Sequence, residues 1–400
     1  MLDVIGVILA FIVIVLLRLR NVSFPVSILI GSAVVVATAG MPIEFFVEAA
    51  VDTAVDPMTH NIVSAVGLIT VLGYMLKETG LMTELIEGLR GVLPTSILLA
   101  IIPAMFGILA MPGGALMSAP FNEPEAERLG LKPEHKTYIN LWFRHIWYWA
   151  SPLSPVPILT ASIACMTVND FIIAQLPIFP VSIVIGLLFS RLFITENRQT
   201  GHIHKGYPEI FKGLTPIVVS VGLSIFGVPL WISLLLGIFT LIYLREVPMS
   251  NIPTLFWKGL QWNTVFSSLA ILYFRYIVTG SGSVNSLFNF ISGLNIPIIV
   301  VFIIAPLIVG AISGTPTMAT GIILPLFLPL CGSSVNLVSL VYSGLIAGYM
   351  ASPIHLCLVL TNNYYNSEMK EVYKYLIPST IILYVITVVY HLAVYGGIPL

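Results

Sequence analysis

The sequence predicts an all-α polytopic membrane protein made of two inverted repeats, and three observations lead to this prediction. First, 58% of the residues are hydrophobic, only 9% are charged, and the mean hydropathy is +1.00. Second, several continuous apolar runs approach or exceed the roughly 20 residues that a helix needs to span a bilayer. Third, motifs of the first half recur in the same order in the second half.

The apolar runs divide the chain into a series of candidate spans. The first, 4–17, is followed rather than preceded by Arg18 and Arg20, the reverse of a cleavable signal peptide, so we expect it to be retained. The remaining candidates are 23–40, 61–76, 95–120, 138–168, 172–194, 213–229, 231–244, 264–279, 296–330, 336–364 and 375–396.

An internal duplication organises these spans. Tyr148–Thr160 aligns without a gap with Tyr349–Thr361, and the two segments share Tyr, Ala, Ser, Pro, Leu and Thr. We therefore expect a first repeat over 1–200, a polar cytoplasmic linker over 201–212 and a second repeat over 213–400. Each repeat is expected to contain about five spans and one re-entrant hairpin, as in transporters with inverted repeats.

Basic residues give the orientation. If the N-terminus lies outside and the second repeat is upside down, every Lys and Arg except Arg144 and Arg275 falls on the cytoplasmic side. This distribution agrees with the positive-inside rule and favours the inverted arrangement over a parallel one. We therefore expect a multi-pass protein of the cell (plasma) membrane with both termini outside.

Gly, Pro and hydroxyl residues interrupt four of the apolar segments. The hairpins, at about 94–120 and 296–330, are expected to turn at Pro112-Gly113-Gly114 and at Ser313-Gly314-Thr315-Pro316. The broken spans, at about 138–168 and 336–364, are expected to break at Ser151-Pro152 and Ser352-Pro353. Irregular backbone at membrane depth is tolerated only where protein buries it or where it lines an aqueous site. The breaks therefore predict a binding site.

The chemistry of such breaks suits ions. A half-helix that begins in the membrane presents free N–H groups to an anion, and one that ends there offers carbonyl oxygens to Na⁺. The predicted substrate-binding residues are Pro112, Gly113, Gly114, Arg144, Ser151, Thr160, Ser313, Gly314, Thr315, Pro316, Thr317, Ser352, His355, Thr361 and Asn362. A Na⁺ ion is predicted near Gly113, Ser151, Ser313, Thr315, Thr317 and Ser352, and no other cofactor is expected.

Several of these residues have a second interpretation. Arg144 could pair with substrate or extend its guanidinium to the headgroups. His355 could bind substrate or be an ordinary hydrogen-bonded interior histidine, and Asn362 could cap a half-helix. The Gly and Pro pairs could be packing kinks.

Two further features of the sequence predict ordinary structure. Cys165, Cys331 and Cys357 lack the spacing of a metal site and are expected to be small core residues. The charged stretch 122–136 is expected to be a solvated connection.

The layout resembles the ion transporter superfamily, which includes gluconate permeases, dicarboxylate/sodium symporters and the large membrane subunits of tripartite transporters. Within it, Met111–Pro120 and Trp142–Trp149 are similar to the prokaryotic family called domain of unknown function 401. The resemblance implies an elevator-type carrier, in which hairpins and broken spans form a moving transport domain and the other helices form a scaffold that dimerises. The first tip departs from the Ser-Asn-Thr of the dicarboxylate symporters, because no hydroxyl lies beside its glycines.

The sequence therefore predicts a secondary active transporter of a small, carboxylate-like organic anion, coupled to Na⁺ or H⁺. The expected partners are this small anion, membrane lipids and a second copy of the chain, with no nucleic acid. One alternative is a cation/proton antiporter, which the lack of Asp or Glu at the breaks disfavours. Another is a membrane subunit of a binding-protein-dependent complex. An enzyme is not expected, because no P-loop, nucleophile elbow or zinc-helix motif is present.

Overall fold

A computed structural model describes residues 2–20, 22–108, 114–194, 206–283, 286, 297–331 and 334–395. All regular secondary structure among these residues is helical. The prediction of an all-α protein is therefore confirmed for the described part of the chain.

The helices of the first half follow the predicted segments with several additions. They are α1 (Leu2–Leu19), α2 (Phe24–Thr38), α3 (Ile43–Val55), α4 (Pro57–Glu78), α5 (Leu81–Arg90), α6 (Thr95–Gly107), α7 (Gly114–Arg128), α8 (Pro133–His145), a 3₁₀ turn (Ile146–Trp149), α9 (Pro155–Ile163), α10 (Val168–Gln175) and α11 (Ile178–Ser190).

The helices of the second half begin within the stretch that we expected to be a linker. They are α12 (Tyr207–Ile225), α13 (Leu230–Leu244), α14 (Ile252–Gly259), α15 (Trp262–Gly280), α16 (Ile298–Ser313), α17 (Pro316–Cys331), α18 (Val335–Ala351), α19 (Leu356–Tyr365) and α20 (Met369–Tyr395).

Four of the described helical segments are long and apolar enough to cross a membrane: Pro57–Glu78, Tyr207–Ile225, Val335–Tyr365 and Met369–Val394. A fifth is possible if α9 and α10, which meet at 113°, count as one span. Seven shorter apolar helices of 10–17 residues accompany them. The chain is therefore a multi-pass membrane protein, and its orientation stays a prediction.

Burial separates central from peripheral helices. The most apolar window of α4 is 67% buried, whereas that of α12 is only 28% buried. Helices α12 and α13 pack on each other and expose large apolar side chains such as Val218, Phe239 and Tyr243. Such faces suit lipid, because hydrocarbon solvates them as well as a protein core does.

The two halves interlock at the centre. Helix α19 packs against α7 and α8, α17 packs against α9, and α20 packs against α8 and α11. Hydrogen bonds accompany these contacts: the Tyr342 hydroxyl donates to the Tyr148 carbonyl at 2.7 Å, and the Tyr365 hydroxyl donates to the Ala119 carbonyl at 3.0 Å. The interrupted segments of both halves are consequently neighbours.

Three short helices, α3, α5 and α14, lie where the sequence predicted only connections. Helix α5 shows why they form: Leu81, Met82, Leu85 and Ile86 make one buried face, while its charged residues lie on the other side. At 10 residues it is too short to span a bilayer but long enough to cover an apolar surface. It packs against α12, where the backbones of Gly88 and Gly206 come close together.

Cys165 corrects the prediction of three core cysteines. Cys331 is buried and Cys357 is half-buried, but Cys165 is exposed and has a left-handed backbone with φ of 55°. Its sulfur accepts a hydrogen bond from the guanidinium of Arg275 at 2.6 Å. Its position in the turn after α9 decides this exposure, which its apolar neighbours in sequence did not indicate.

The charged stretch 122–136 also differs from the prediction of a solvated connection. Helix α7 continues to Arg128, and the Glu125 side chain is fully buried. Arg90 of α5 donates from Nε to Glu125 at 3.1 Å and from a terminal nitrogen to the Phe121 carbonyl at 2.8 Å. The prediction failed because the partner of Glu125 comes from a distant segment of the chain.

Replacing Glu125 with Gln is expected to lower the free energy of unfolding by about 1–3 kcal/mol, because Arg90 would keep its charge and lose its buried partner. The thermal midpoint of the purified protein in detergent measures this loss. Glu127→Gln is the matched control, because Glu127 is 63% exposed and pairs with Lys136 at 3.6 Å. Equal midpoints for the two variants would contradict a stabilising role for the buried pair.

Candidate functional site

A cavity of about 240 Å³ lies where the interrupted segments meet, and we call it the central cavity. Residues on both sides of each broken span contribute to its wall, together with the turn between α16 and α17. Its lining residues are Gly107, Arg144, His145, Tyr148, Ser154, Pro155, Val156, Gln261, Thr264, Gly314, Thr315, Pro316, Thr317, Tyr349, Leu356 and Cys357.

Of the described helices, four begin at the central cavity: α9, α15, α17 and α19. Residues at or next to their first turns line it: Ser154, Pro155 and Val156 for α9, Gln261 and Thr264 for α15, Thr315, Pro316 and Thr317 for α17, and Leu356 and Cys357 for α19. The first turn of a helix has N–H groups without intrahelical partners and carries partial positive charge. In α9 only Val156 offers such a group within the first three residues, because Pro155 and Pro157 have no N–H, and α17 likewise begins with Pro316. This end-on arrangement favours an anionic ligand.

Gly314 makes the turn between α16 and α17. It has a left-handed backbone with φ of 66°, a conformation that glycine adopts without steric cost. An added Cβ would also lie 3.0 Å from the Ile354 side chain and 3.1 Å from its carbonyl oxygen. The Ser313 hydroxyl closes the turn by hydrogen bonding to the Gly310 and Thr315 carbonyls, each at 3.1 Å.

The two broken spans contain the same local turn. After α8, the hydroxyl of Ser151 accepts a hydrogen bond from the Leu153 N–H at 3.2 Å. After α18, the hydroxyl of Ser352 accepts one from the Ile354 N–H at 3.3 Å and also donates to the Ala311 carbonyl at 2.6 Å. Both serines are fully buried, so their hydroxyls satisfy backbone groups that the breaks release.

Arg144 is half-buried in the wall of the central cavity. One of its terminal nitrogens donates to the Phe106 carbonyl at 2.8 Å, and the indole of Trp147 donates to the Ala104 carbonyl at 2.7 Å. Both carbonyls belong to the last turn of α6, where intrahelical donors run out. Arg144 therefore brings a positive charge to the cavity while it stabilises the end of α6.

Aromatic and histidine rings cluster beside the helix starts. The ring of Tyr349 lies 3.9 Å from that of His355, and the two histidine rings, His145 and His355, are 4.8 Å apart between centroids. Tyr148 packs edge-on against Tyr349 at 6.1 Å. Rings of this kind supply a stiff apolar surface beside the polar helix starts.

The structure brings together some of the predicted site residues. Five of them line the central cavity: Arg144, Gly314, Thr315, Pro316 and Thr317. Four others are buried in the interrupted segments, close in sequence to residues that line the cavity: Ser151, Ser313, Ser352 and His355. Gly114 begins α7. Pro112 and Gly113 lie outside the described residues.

Other predicted residues lie inside half-helices. The hydroxyls of Thr160 and Thr361 are bonded to carbonyls of the preceding turn, those of Val156 and Cys357. The Asn362 side chain accepts from the Ser367 hydroxyl at 2.7 Å, and its carbonyl accepts the Ser367 N–H at 2.9 Å. These contacts place Asn362 at the C-terminal end of α19, in agreement with the capping alternative.

Several cavity residues were not among the predicted ones. Tyr148 and Tyr349 occupy equivalent positions in the duplicated segments, so the duplication itself contained a signal for them. Gln261 and Thr264 had no such signal, because they begin the otherwise ordinary helix α15. For Cys357, the sequence predicts only a small core residue.

Comparison with known proteins assigns the family. The family model described as "Protein of unknown function (DUF401)" matches residues 4–398. The chain belongs to the DUF401 family. This confirms the resemblance to domain of unknown function 401, whereas the relation to gluconate permeases and dicarboxylate symporters stays a prediction. No curated protein matches the DUF401 chain in sequence.

The fold of this DUF401 protein is similar to a solved one. The crystal structure of the YdaH transporter from Alcanivorax borkumensis superposes with a TM-score of 0.60 and 16% sequence identity. The match covers 88% of this chain and 89% of the other. At this identity the likeness establishes a shared fold.

Replacing Gly314 with Ala is expected to destabilise the protein by at least about 1–2 kcal/mol, because the left-handed turn is strained for any residue with a Cβ. The thermal midpoint should fall accordingly. Gly222→Ala is the matched control, since a Cβ at Gly222 in α12 meets no atom within 4 Å. If both variants have the midpoint of the wild type, the turn does not require glycine.

Proposed function

We propose that this DUF401 protein is a secondary active transporter that moves a small, carboxylate-like organic anion. The central cavity is the proposed binding site. The observation that carries the proposal is the convergence of four helix starts and Arg144 on one cavity inside a multi-pass membrane protein. Helix starts and guanidinium groups are the two kinds of group that most commonly hold carboxylates in proteins.

The size of the cavity favours a small substrate. Its volume of about 240 Å³ is below the range of roughly 300–1,000 Å³ that is usual for drug-sized ligands. The Thr315 and Thr317 side chains and the Gln261 amide add hydrogen-bonding groups, while Tyr148 and Tyr349 supply apolar surface. A short carboxylate with a few polar substituents suits this lining.

Coupling to Na⁺ or H⁺ is part of the proposal. The hydroxyls of Ser151, Ser313 and Ser352 lie in the turns at the interrupted helices, and hydroxyl and carbonyl oxygens are the ligand type that Na⁺ takes at broken helices. Thr315 and Thr317 offer further hydroxyls at the start of α17. These oxygens are the proposed Na⁺ ligands. Gly113, which lies outside the described residues, is proposed as a further ligand.

The mechanism we propose is elevator-type alternating access by two inverted repeats in a homodimer of the cell membrane, with both termini outside. The resemblance to the ion transporter superfamily supports it, as does the shared fold with a protein described as a transporter. The repeated serine turns at the two breaks also support the duplication. The cavity residues Gln261 and Thr264 come from α15, which would belong to the scaffold and contact the substrate in one state.

Two alternative functions make different demands on the same site. A cation/proton antiporter built on a carboxylate needs an Asp or Glu at the site, and none of the described residues that line the central cavity is Asp or Glu. A membrane subunit of a binding-protein-dependent complex would transport only when its soluble partner is added. Transport by the purified protein in liposomes separates that alternative from the proposed function, and enzymatic activity is not expected.

The first test is ligand-induced thermal stabilisation with a panel of carboxylates, each in sodium and in choline buffer. A carboxylate at 100 times its Kd is expected to stabilise the folded protein by about 2.7 kcal/mol. A shift that needs both a carboxylate and sodium supports Na⁺-coupled transport. A shift with sodium or pH alone, and none with any carboxylate, would favour the antiporter.

Replacing Arg144 with Gln is expected to weaken carboxylate binding by about 10–100-fold, because a charge-assisted hydrogen bond contributes roughly 1.5–3 kcal/mol. The Kd from titrations of the thermal shift measures the effect apart from any change in the starting midpoint. Arg275→Gln is the matched control, since Arg275 is half-buried like Arg144 but lies outside the central cavity and donates to the Cys165 sulfur. An unchanged Kd for Arg144→Gln would remove Arg144 from the anion site.

Changing Thr315 and Thr317 together to Val is expected to abolish uptake into liposomes, because Val keeps the shape and removes both hydroxyls. The thermal midpoint without ligand should stay close to that of the wild type. Thr160→Val is the control, because its hydroxyl is bonded within α9. Uptake by the double variant at the wild-type rate would show that the α17 hydroxyls are not part of the site.

A further inference from the structure

We propose that His145, His355 and Cys357 form a Zn²⁺-binding site in the wall of the central cavity. One ligand atom from each of these residues lies within 4.8 Å of the others, the only such three-residue group of His, Cys, Asp or Glu among the described residues. No sequence pattern indicates this site, because His145 ends α8 and the other two residues lie at the start of α19, more than 200 positions later. The proposal does not depend on the transported substrate.

His145 is oriented as metal-binding histidines are. It is buried, and its Nδ1 donates to the Leu141 carbonyl one turn earlier in α8 at 2.6 Å. A hydrogen bond from one ring nitrogen to a backbone carbonyl fixes the tautomer and leaves a lone pair on the other. Nε2 is therefore available as a ligand.

His355 provides the second observation. Its side chain is fully buried, and neither ring nitrogen makes a well-formed hydrogen bond to a described residue, although the Met350 backbone lies near the ring. Leaving a buried polar group unpaired costs about 1–3 kcal/mol. Because the ring packs between Tyr349 and His145, it cannot reach water without disrupting that packing. A metal bond to one nitrogen would remove most of this cost.

Cys357 completes the set with a ligand of suitable charge and softness. It is half-buried, it lines the central cavity, and it lies in the first turn of α19, where partial positive charge favours an anionic ligand. Two imidazoles and a thiolate are a ligand set that Zn²⁺ accepts readily. The thiolate also offsets the positive charge of Arg144 in the same wall.

The geometry requires only small side-chain movements. Tetrahedral Zn²⁺ with bonds of about 2.0–2.3 Å sets its ligand atoms roughly 3.3–3.6 Å apart, so atoms now up to 4.8 Å apart must approach by at most about 1.5 Å. Because His145 and Cys357 both line the cavity, water or an anion in the cavity would be near the bound ion. A bound ion would tie α8 of the first half to α19 of the second.

Binding of Co²⁺ to the reduced, full-length protein in detergent tests the proposal, because Co²⁺ replaces Zn²⁺ at such sites and is coloured. The titration contains no carboxylate ligand. We expect one Co²⁺ per chain, visible absorption of tetrahedral intensity, a near-ultraviolet thiolate charge-transfer band, and displacement of Co²⁺ by one equivalent of Zn²⁺. Zn²⁺ should also raise the thermal midpoint.

The variants assign the ligands. Cys357→Ser should lose the charge-transfer band, and Cys357→Ser and His355→Gln should each bind at least ~100-fold more weakly, since loss of outer-shell partners alone costs 10–100-fold. Cys331→Ser and His391→Gln are matched controls and should retain the wild-type spectrum. Cys331 is a buried cysteine, and His391 is a buried histidine whose ring nitrogens also lack partners among the described residues.

Two results would overturn the proposal: wild-type protein without a stoichiometric Co²⁺ spectrum, or a charge-transfer band that persists in Cys357→Ser. The Co²⁺ titration of the wild-type protein tests the first of these results even if a variant fails to fold. The thermal stabilisation of the protein by carboxylates is measured in buffer that a chelator keeps free of transition metals. Failure of metal binding and failure of the anion site are therefore separate outcomes.

Discussion

The structure depends on how backbone groups are satisfied where helices stop inside the membrane. Hydrocarbon offers no hydrogen bonds, so each interrupted helix needs partners supplied by the protein or by a ligand. Serine hydroxyls at Ser151, Ser313 and Ser352 supply some of them, and Arg144 and Trp147 supply others at the end of α6. At the helix starts around the central cavity, the N–H groups without intrahelical partners are available to a ligand.

This division explains why the site lies between the two halves. The polar ends of one broken span could not be buried against lipid, so each packs against elements of the other half, as α17 does on α9 and α19 does on α8. The cavity is the space that remains where these ends meet. Its wall therefore combines groups that stabilise the fold with groups that remain free for a ligand.

The same wall contains histidine, cysteine and tyrosine side chains close to the helix starts. An anion held by N–H groups and Arg144 would lie beside His145 and Cys357, since all of them border one cavity. A metal ion bound by His145, His355 and Cys357 would add positive charge next to the anion. The two proposed ligands would therefore be neighbours in one wall.

The sequence by itself determined the class and the positions of the breaks. Continuous apolar runs require a helical membrane protein, and Gly314, Ser151 and Ser352 interrupt helices through local backbone chemistry. Only the tertiary structure decided which residues meet. The pairing of Glu125 with Arg90, the contribution of Gln261 and the approach of His145 to Cys357 join segments far apart in the chain. Such contacts follow from packing between helices, which local sequence patterns do not encode.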